Sequence, residues 1–190
     1  MEELELLQGL SKGSPGAFRR LVELHQERVV NTCYRFVFVR EDAEDIAQEV
    51  FLEVHRSISG FRGESKLSTW IYRIAVAKSL DFIRRRNRKK RFAFMRALMG
   101  ADRIERLPAP PSSIPDVEIE RRERYRILQE ALNALPENQR TAITLSKYHD
   151  FSGKEIAEVM GTTLPAVDGL IHRAKAKLRK RLCRYYEKTI

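Results

Sequence analysis

Cysteine, tryptophan and histidine are all scarce in this chain. Its two cysteines, Cys33 and Cys183, lie far apart in apolar or basic helical contexts, which leaves a disulfide framework or a cysteine zinc site without support. The four histidines, His25, His55, His149 and His172, give no pair at metal-ligand spacing, so neither a metal nor a cofactor is expected. No apolar run approaches the ~18 residues of a membrane span. The N-terminal MEELELLQGL is acidic and helical, unlike a signal peptide. Together these absences point to a cytoplasmic chain, and there are no internal repeats.

What is present is charge. The 190 residues carry a formal net charge of +10, with 43% hydrophobic and 33% charged residues. That composition supports a real core under a polar surface. The excess of cations fits a polyanionic partner, nucleic acid or an anionic membrane surface. The length suits one large domain or two small ones.

The most informative stretch is Ser152 to Lys175, SGKEIAEVMGTTLPAVDGLIHRAK. Ile156 and Met160 share one face of a short helix, and Ala157 beside them is small enough for a second helix to cross closely. Gly161 ends that helix, because glycine tolerates the left-handed conformation a sharp reversal needs. Thr162-Thr163 supplies a capping hydroxyl for the next helix, with Pro165 in its first turn. Val167, Leu170 and Ile171 face back onto the first helix. Outward remain Ala166, Asp168, Gly169, His172, Arg173 and Lys175, the set that would enter a major groove in a helix-turn-helix. An ordinary packing hairpin is the other reading. Two features favour DNA: the run from Arg173 to Arg184 holds seven basic and no acidic residues, and Pro136 opens a further helix with Ala142, Ile143 and Leu145 on its buried side.

Upstream, Ser14-Pro15 starts a long core helix after a short one over residues 3–12. EDAEDIAQEVFLEVHRSI, from Glu41, then places Ala43, Ile46, Ala47, Val50, Phe51 and Val54 on one side and acids on the other. Three readings compete for this acidic face on a basic protein. It is a solvated face that helps the helix N-terminus, a carboxylate metal site using Asp42, Asp45 and Glu49, or a docking surface for a basic partner. No histidine or second acidic cluster completes a metal site.

GFRGESKLS, from Gly60 to Ser68, reads as a loop, with Ser68 or Thr69 capping a helix whose inner side is Trp70, Ile71, Ile74, Ala75 and Phe82 or Ile83. That helix leaves the core as RRRNRKKR, seven basic residues in eight. Aromatics beside cations suit single-stranded DNA, although the Trp70 ring reads better as a core residue. Four prolines in LPAPPSSIPD mark a semi-rigid linker. The expected fold is all-α: a helical domain over 1–91, a linker over 92–116 and a helix-turn-helix domain over 117–190.

DAEDIAQEVFLEV, then FRGESKLSTWIYRIAV with Asp81 and the Arg84–Arg86 run, resemble region two of the bacterial sigma-70 superfamily. ALNALPENQR and GKEIAEVMGTTLPAVDGLIHRAKAKLRK resemble its region four. The two sets in this order, over nearly the whole chain, resemble the small extracytoplasmic-function sigma factors. The resemblance implies a protein that catalyses nothing, has no small-molecule substrate, binds core RNA polymerase and directs promoter recognition, opening and initiation. Asp42, Asp45, Gln48 and Glu49 would bind the polymerase. Ser59, Gly60, Phe61 and Arg62, with Arg73, Lys78 and Arg84, would contact the minus-ten element and its melted non-template strand. Thr163, Pro165, Ala166, Asp168, Gly169, His172, Arg173 and Lys175 would contact the duplex minus-thirty-five element. Members are commonly held inactive by an anti-sigma factor, often at the membrane. Two departures matter: Ala77 stands where many relatives carry asparagine, and Asp168, Gly169 and Leu170 replace basic and hydroxyl residues. Asp168 repels phosphate but can accept from a cytosine amine, so Thr163, Arg173 and Lys175 are expected on phosphate.

Overall fold

The computed structural model describes residues 2–98, 116–147 and 151–186. Among them are α1 (Glu2–Ser11), α2 (Pro15–Val37), α3 (Arg40–Ser57), α4 (Leu67–Leu98), α5 (Asp116–Asn133), α6 (Glu137–Ser146), α7 (Gly153–Met160) and α8 (Leu164–Tyr186), with a 3-10 turn at Ile58–Gly60 and no strand. The proline-rich stretch falls within 99–115, and with His149 it lies outside the described residues.

Local signals set the helix ends. Ser14 caps α2, its hydroxyl accepting from the Ala17 amide, with Pro15 at the first position. One expectation fails at α4. Neither Ser68 nor Thr69 caps it, because the helix already begins at Leu67 and the Lys66 carbonyl accepts from the Trp70 amide. Thr69 is instead buried, and its hydroxyl lies 3.5 Å from Glu158 Oε2 of α7.

α2, α3 and α4 pack side by side around Leu21, Phe36, Val50, Val54 and Ile71. Helix α3 contributes Ala43, Ile46, Ala47, Val50 and Val54 of its expected apolar side, with Phe51 half-buried against the same core. The C-terminal helices α5 to α8 form a second bundle around Leu132, Leu135, Ile143 and Ala174.

The two bundles do not stand apart. Leu145, Ile156, Ala157, Val159 and Val167 of the second continue the apolar core of the first. Tyr72 of α4 meets Phe151 edge to face at 5.0 Å. The junction's second centre is the end of α2. Phe38 closes that helix in the left-handed conformation, φ 62°, and its ring packs on the apolar cluster of the second bundle. A bulky residue held there carries about 1–2 kcal/mol of strain, which the surrounding contacts must offset.

Candidate nucleic-acid and polymerase interfaces

The helix-turn-helix is built from α7 and α8. Ser152 and Glu155 form a reciprocal capping box: the Ser152 hydroxyl accepts from the Glu155 amide, and Glu155 accepts from the Ser152 amide at 2.8 Å. The S-x-x-E spacing is the signal in the sequence for this device. Those bonds hold the Glu155 carboxyl below the ordinary carboxylate range, aided by Lys66 at 3.7 Å. Gly161 takes φ 62° and reverses the chain.

Ile156, Ala157 and Val167 bury the hinge as the spacing predicts, and Val159 joins them. Met160, Leu170 and Ile171 are half-buried. Gly153, missed from sequence, leaves room for the Leu164 side chain: a Cβ there would lie 2.6 Å from Leu164 Cδ1, so the leucine would have to turn away.

Thr163, just before α8, and Pro165, Asp168, His172, Arg173 and Lys175 along it are exposed, and Ala166 and Gly169 are half-buried. The Arg173 guanidinium folds against Gly169, where an added Cβ would sit 3.3 Å from Nη1. The glycine thus makes room for a cation on the outward face. Lys175 sits further round the helix, on the rim of an apolar groove shared with Phe38, Leu128 and Leu178.

On α3, Asp45, Gln48 and Glu49 are exposed one turn apart, and Asp45 and Glu49 make no ion pair with a described residue. Leu52, a turn further, is 57% exposed and extends this face with an apolar side chain. Asp42 differs, because its carboxylate lies 3.6 Å from Arg86 of α4. An arginine at that distance supplies the countercharge that a carboxylate metal site would draw from its ion, so Asp42, Asp45 and Glu49 do not fit the carboxylate metal site.

The loop after α3 presents Ser59, Gly60 and Arg62 to solvent. Phe61 lies 5.3 Å from Trp70, the rings tilted at 47°. Trp70 is half-buried and packs against the core, so one side of its ring supports the loop. The three cations implicated with this loop are all engaged. Lys78 pairs with Glu53 of α3 at 3.2 Å. Arg73 Nε donates to the Glu158 carbonyl at 2.8 Å. Arg84 bonds Asp81 at 2.7 Å and grips both oxygens of Glu137. The structure therefore brings the loop and Arg73 onto one helix start, with Lys78 and Arg84 further along α4.

The Sigma-70 region 2 family matches residues 21–89, from within α2 to most of α4, and the Sigma-70 region 4 family matches residues 125–178. The ECF RNA polymerase sigma factor SigW of Bacillus subtilis is 30% identical over 175 residues, 91% of this chain and 92% of the relative. The ECF RNA polymerase sigma-E factor of Haemophilus influenzae is 31% identical over 177 residues, 93% of each. Among solved structures, that of CnrH in complex with the cytosolic domain of CnrY superposes with a TM-score of 0.66 at 24% identity, covering 96% of this chain and 97% of that one, a likeness of fold. Two family regions in order, with full-length relatives at this identity, settle the membership: the chain belongs to the extracytoplasmic-function (ECF) RNA polymerase sigma factors.

Proposed function

We propose that the residues above divide the work of a sigma factor as follows. Asp45, Gln48 and Glu49, flanked by Asp42 and Leu52, dock a basic surface of core RNA polymerase. Phe61 and Arg62 with Ser59 and Gly60, backed by Trp70 and extended by Arg73, Lys78 and Arg84, hold the melted non-template strand of the minus-ten element. Taking a base out of the stack costs a few kcal/mol, and stacking on an aromatic side chain returns roughly 1–3 kcal/mol per base. The N-terminal half of α8 enters the major groove of the minus-thirty-five element. There Asp168, His172 and Gly169 lie toward base edges, while Thr163, Arg173 and Lys175 grip phosphate, with Pro165 and Ala166 fixing the approach.

The observation that carries this reading is the exposed acidic face of α3 on a chain of net charge +10. Such a face is out of place against DNA and suited to a basic protein partner. Its test is Asp45→Lys with Glu49→Lys, read by pull-down of core polymerase. Binding should be lost while helicity by circular dichroism is unchanged; retained binding would return the face to solvent.

No helix among the described residues is long and apolar enough to cross a membrane, and polymerase and DNA place the working protein in the cytoplasm. An anti-sigma factor is a further partner under this reading. CnrH is bound to the cytosolic domain of CnrY in its own structure.

A further inference from the structure

The cleft where the end of α2 meets α5, α6 and α8 is apolar inside and cationic at its rim. Its volume is about 500 Å³, and small-molecule sites run from roughly 300 to 1,000 Å³. Phe38, Leu128, Leu132, Ile143 and Leu178 supply the apolar lining. Arg35, Lys147, Lys175 and Arg179, all exposed, border it, and no acidic side chain does so among the described residues. One further lining residue is both polar and buried. Thr144 is 7% exposed, and its hydroxyl has no hydrogen-bond partner among the described residues. A serine or threonine within a helix commonly satisfies itself on the carbonyl one turn back. Thr32 does so on Arg28 and Ser79 on Ala75, each at 2.8 Å. Thr144 does not, so its hydroxyl is free to serve an acceptor that enters the cleft.

We propose that this cleft binds a long-chain carboxylate, with the alkyl tail on the apolar lining and the carboxylate held by the Thr144 hydroxyl and the rim cations. A carboxylate is acceptor-only and accepts from both kinds of donor. Lys147 follows Thr144 by three residues at the end of α6, and Lys175 and Arg179 are four apart on α8, so each pair lies toward one side of its helix. A small hydrophilic anion would leave the apolar lining wet, and a neutral or cationic amphiphile would leave the rim charges unmatched. Four elements border the cleft, which suits one flexible chain better than the row of anchors, about two turns long, that a docked helix lays down. The site shares only Lys175 with the residues assigned above to DNA, and that residue is left intact in the test.

The test is isothermal titration calorimetry of the full chain with octanoate, decanoate and dodecanoate, below micelle formation. Affinity should rise about fifteenfold for each added pair of methylenes, since a buried methylene is worth about 0.8 kcal/mol. Dodecyltrimethylammonium, with the same tail and a cationic head, should bind about tenfold more weakly than dodecanoate or worse. Lys147→Gln with Arg179→Gln, both exposed, should weaken dodecanoate about fivefold. Thr144→Val should weaken it about tenfold, while the urea midpoint of unfolding holds or rises, because the hydroxyl removed has no partner to lose. Affinity independent of tail length would mean ion pairing at the surface, and equal affinity for the cationic amphiphile would mean adsorption of the tail alone; either overturns the proposal. So does parental affinity in Thr144→Val, which would leave the hydroxyl unused. No binding of any of the three acids would leave the cleft to a protein partner and overturn it as well.

Discussion

Arg140 Nη2 donates to the carbonyl oxygen of Phe36 at 2.6 Å, reaching from α6 of the second bundle to the last turn of α2 in the first. Helix ends leave carbonyls without an intrahelical donor. Here two of them are satisfied across the domain junction, Phe36 by Arg140 and Val37 by Gln129 at 3.2 Å. A second bond from Arg140, to Asn133 Oδ1 at 2.6 Å, holds the guanidinium in place.

Arg140 is 5% exposed, and burial, with the nearby Arg86, lowers its pKa to about 10, so it remains charged at neutral pH. Arg140→Ala would leave the Phe36 carbonyl buried without a donor and open a void. A loss of about 2–4 kcal/mol in urea unfolding is expected. A change below about 0.5 kcal/mol would show that water replaces the guanidinium without penalty.

The capping box gives a pH dependence. The folded-state pKa of Glu155 is depressed, chiefly by its bonds to Ser152. Its contribution is therefore present above the ordinary carboxylate value of 4.5 and is lost as pH falls through the lower folded value. Ser152→Ala should remove about 1 kcal/mol at pH 7 and flatten this acid dependence. Thermal melts of both proteins from neutral to acid pH would show the two curves converging.

Cys33 is fully buried, and burial pushes its thiol up to about 11, opposed in part by a bond from Ser79. A raised thiol pKa means the folded state keeps its proton where the unfolded chain has lost it. Stability from this group should therefore decline between about pH 9 and 11, by up to ~1.4 kcal/mol per pH unit. In thiol titration of the native protein at pH 8, the exposed Cys183 should react and Cys33 should not, until denaturant is added. Equal rates for both would contradict the buried placement.

Arg173→Ala and Lys175→Ala should each weaken binding to all minus-thirty-five sequences alike, and each should lower the slope of log affinity against log salt by about 0.9. The assay is fluorescence anisotropy of the holoenzyme on promoter duplex over a salt series. A changed sequence preference would show that the side chain reads a base edge instead.

The elements legible from sequence are those written in short-range code. Ser14-Pro15 opens α2, Gly161 turns the helix-turn-helix and the apolar spacing of α3 selects its buried side, because a cap or a helix face depends on residues within a turn or two. The acidic face of Asp45, Gln48 and Glu49 is legible for the same reason. Thr69 shows where such reasoning ends. Its hydroxyl looks like a cap but faces Glu158, because a residue 89 positions away in the chain arrives beside it.

By itself, then, the sequence determined the helices, their order, the helix-turn-helix and the charge that suits DNA, since these follow from local backbone preference and from composition. Only the tertiary structure decided which of the charged residues are occupied. Asp42 and Arg86, Arg84 and Glu137, Arg140 and Phe36 are paired by packing between elements distant in the chain. No periodicity encodes such pairs, because they form only once burial of an apolar core brings together helices that are distant in the chain.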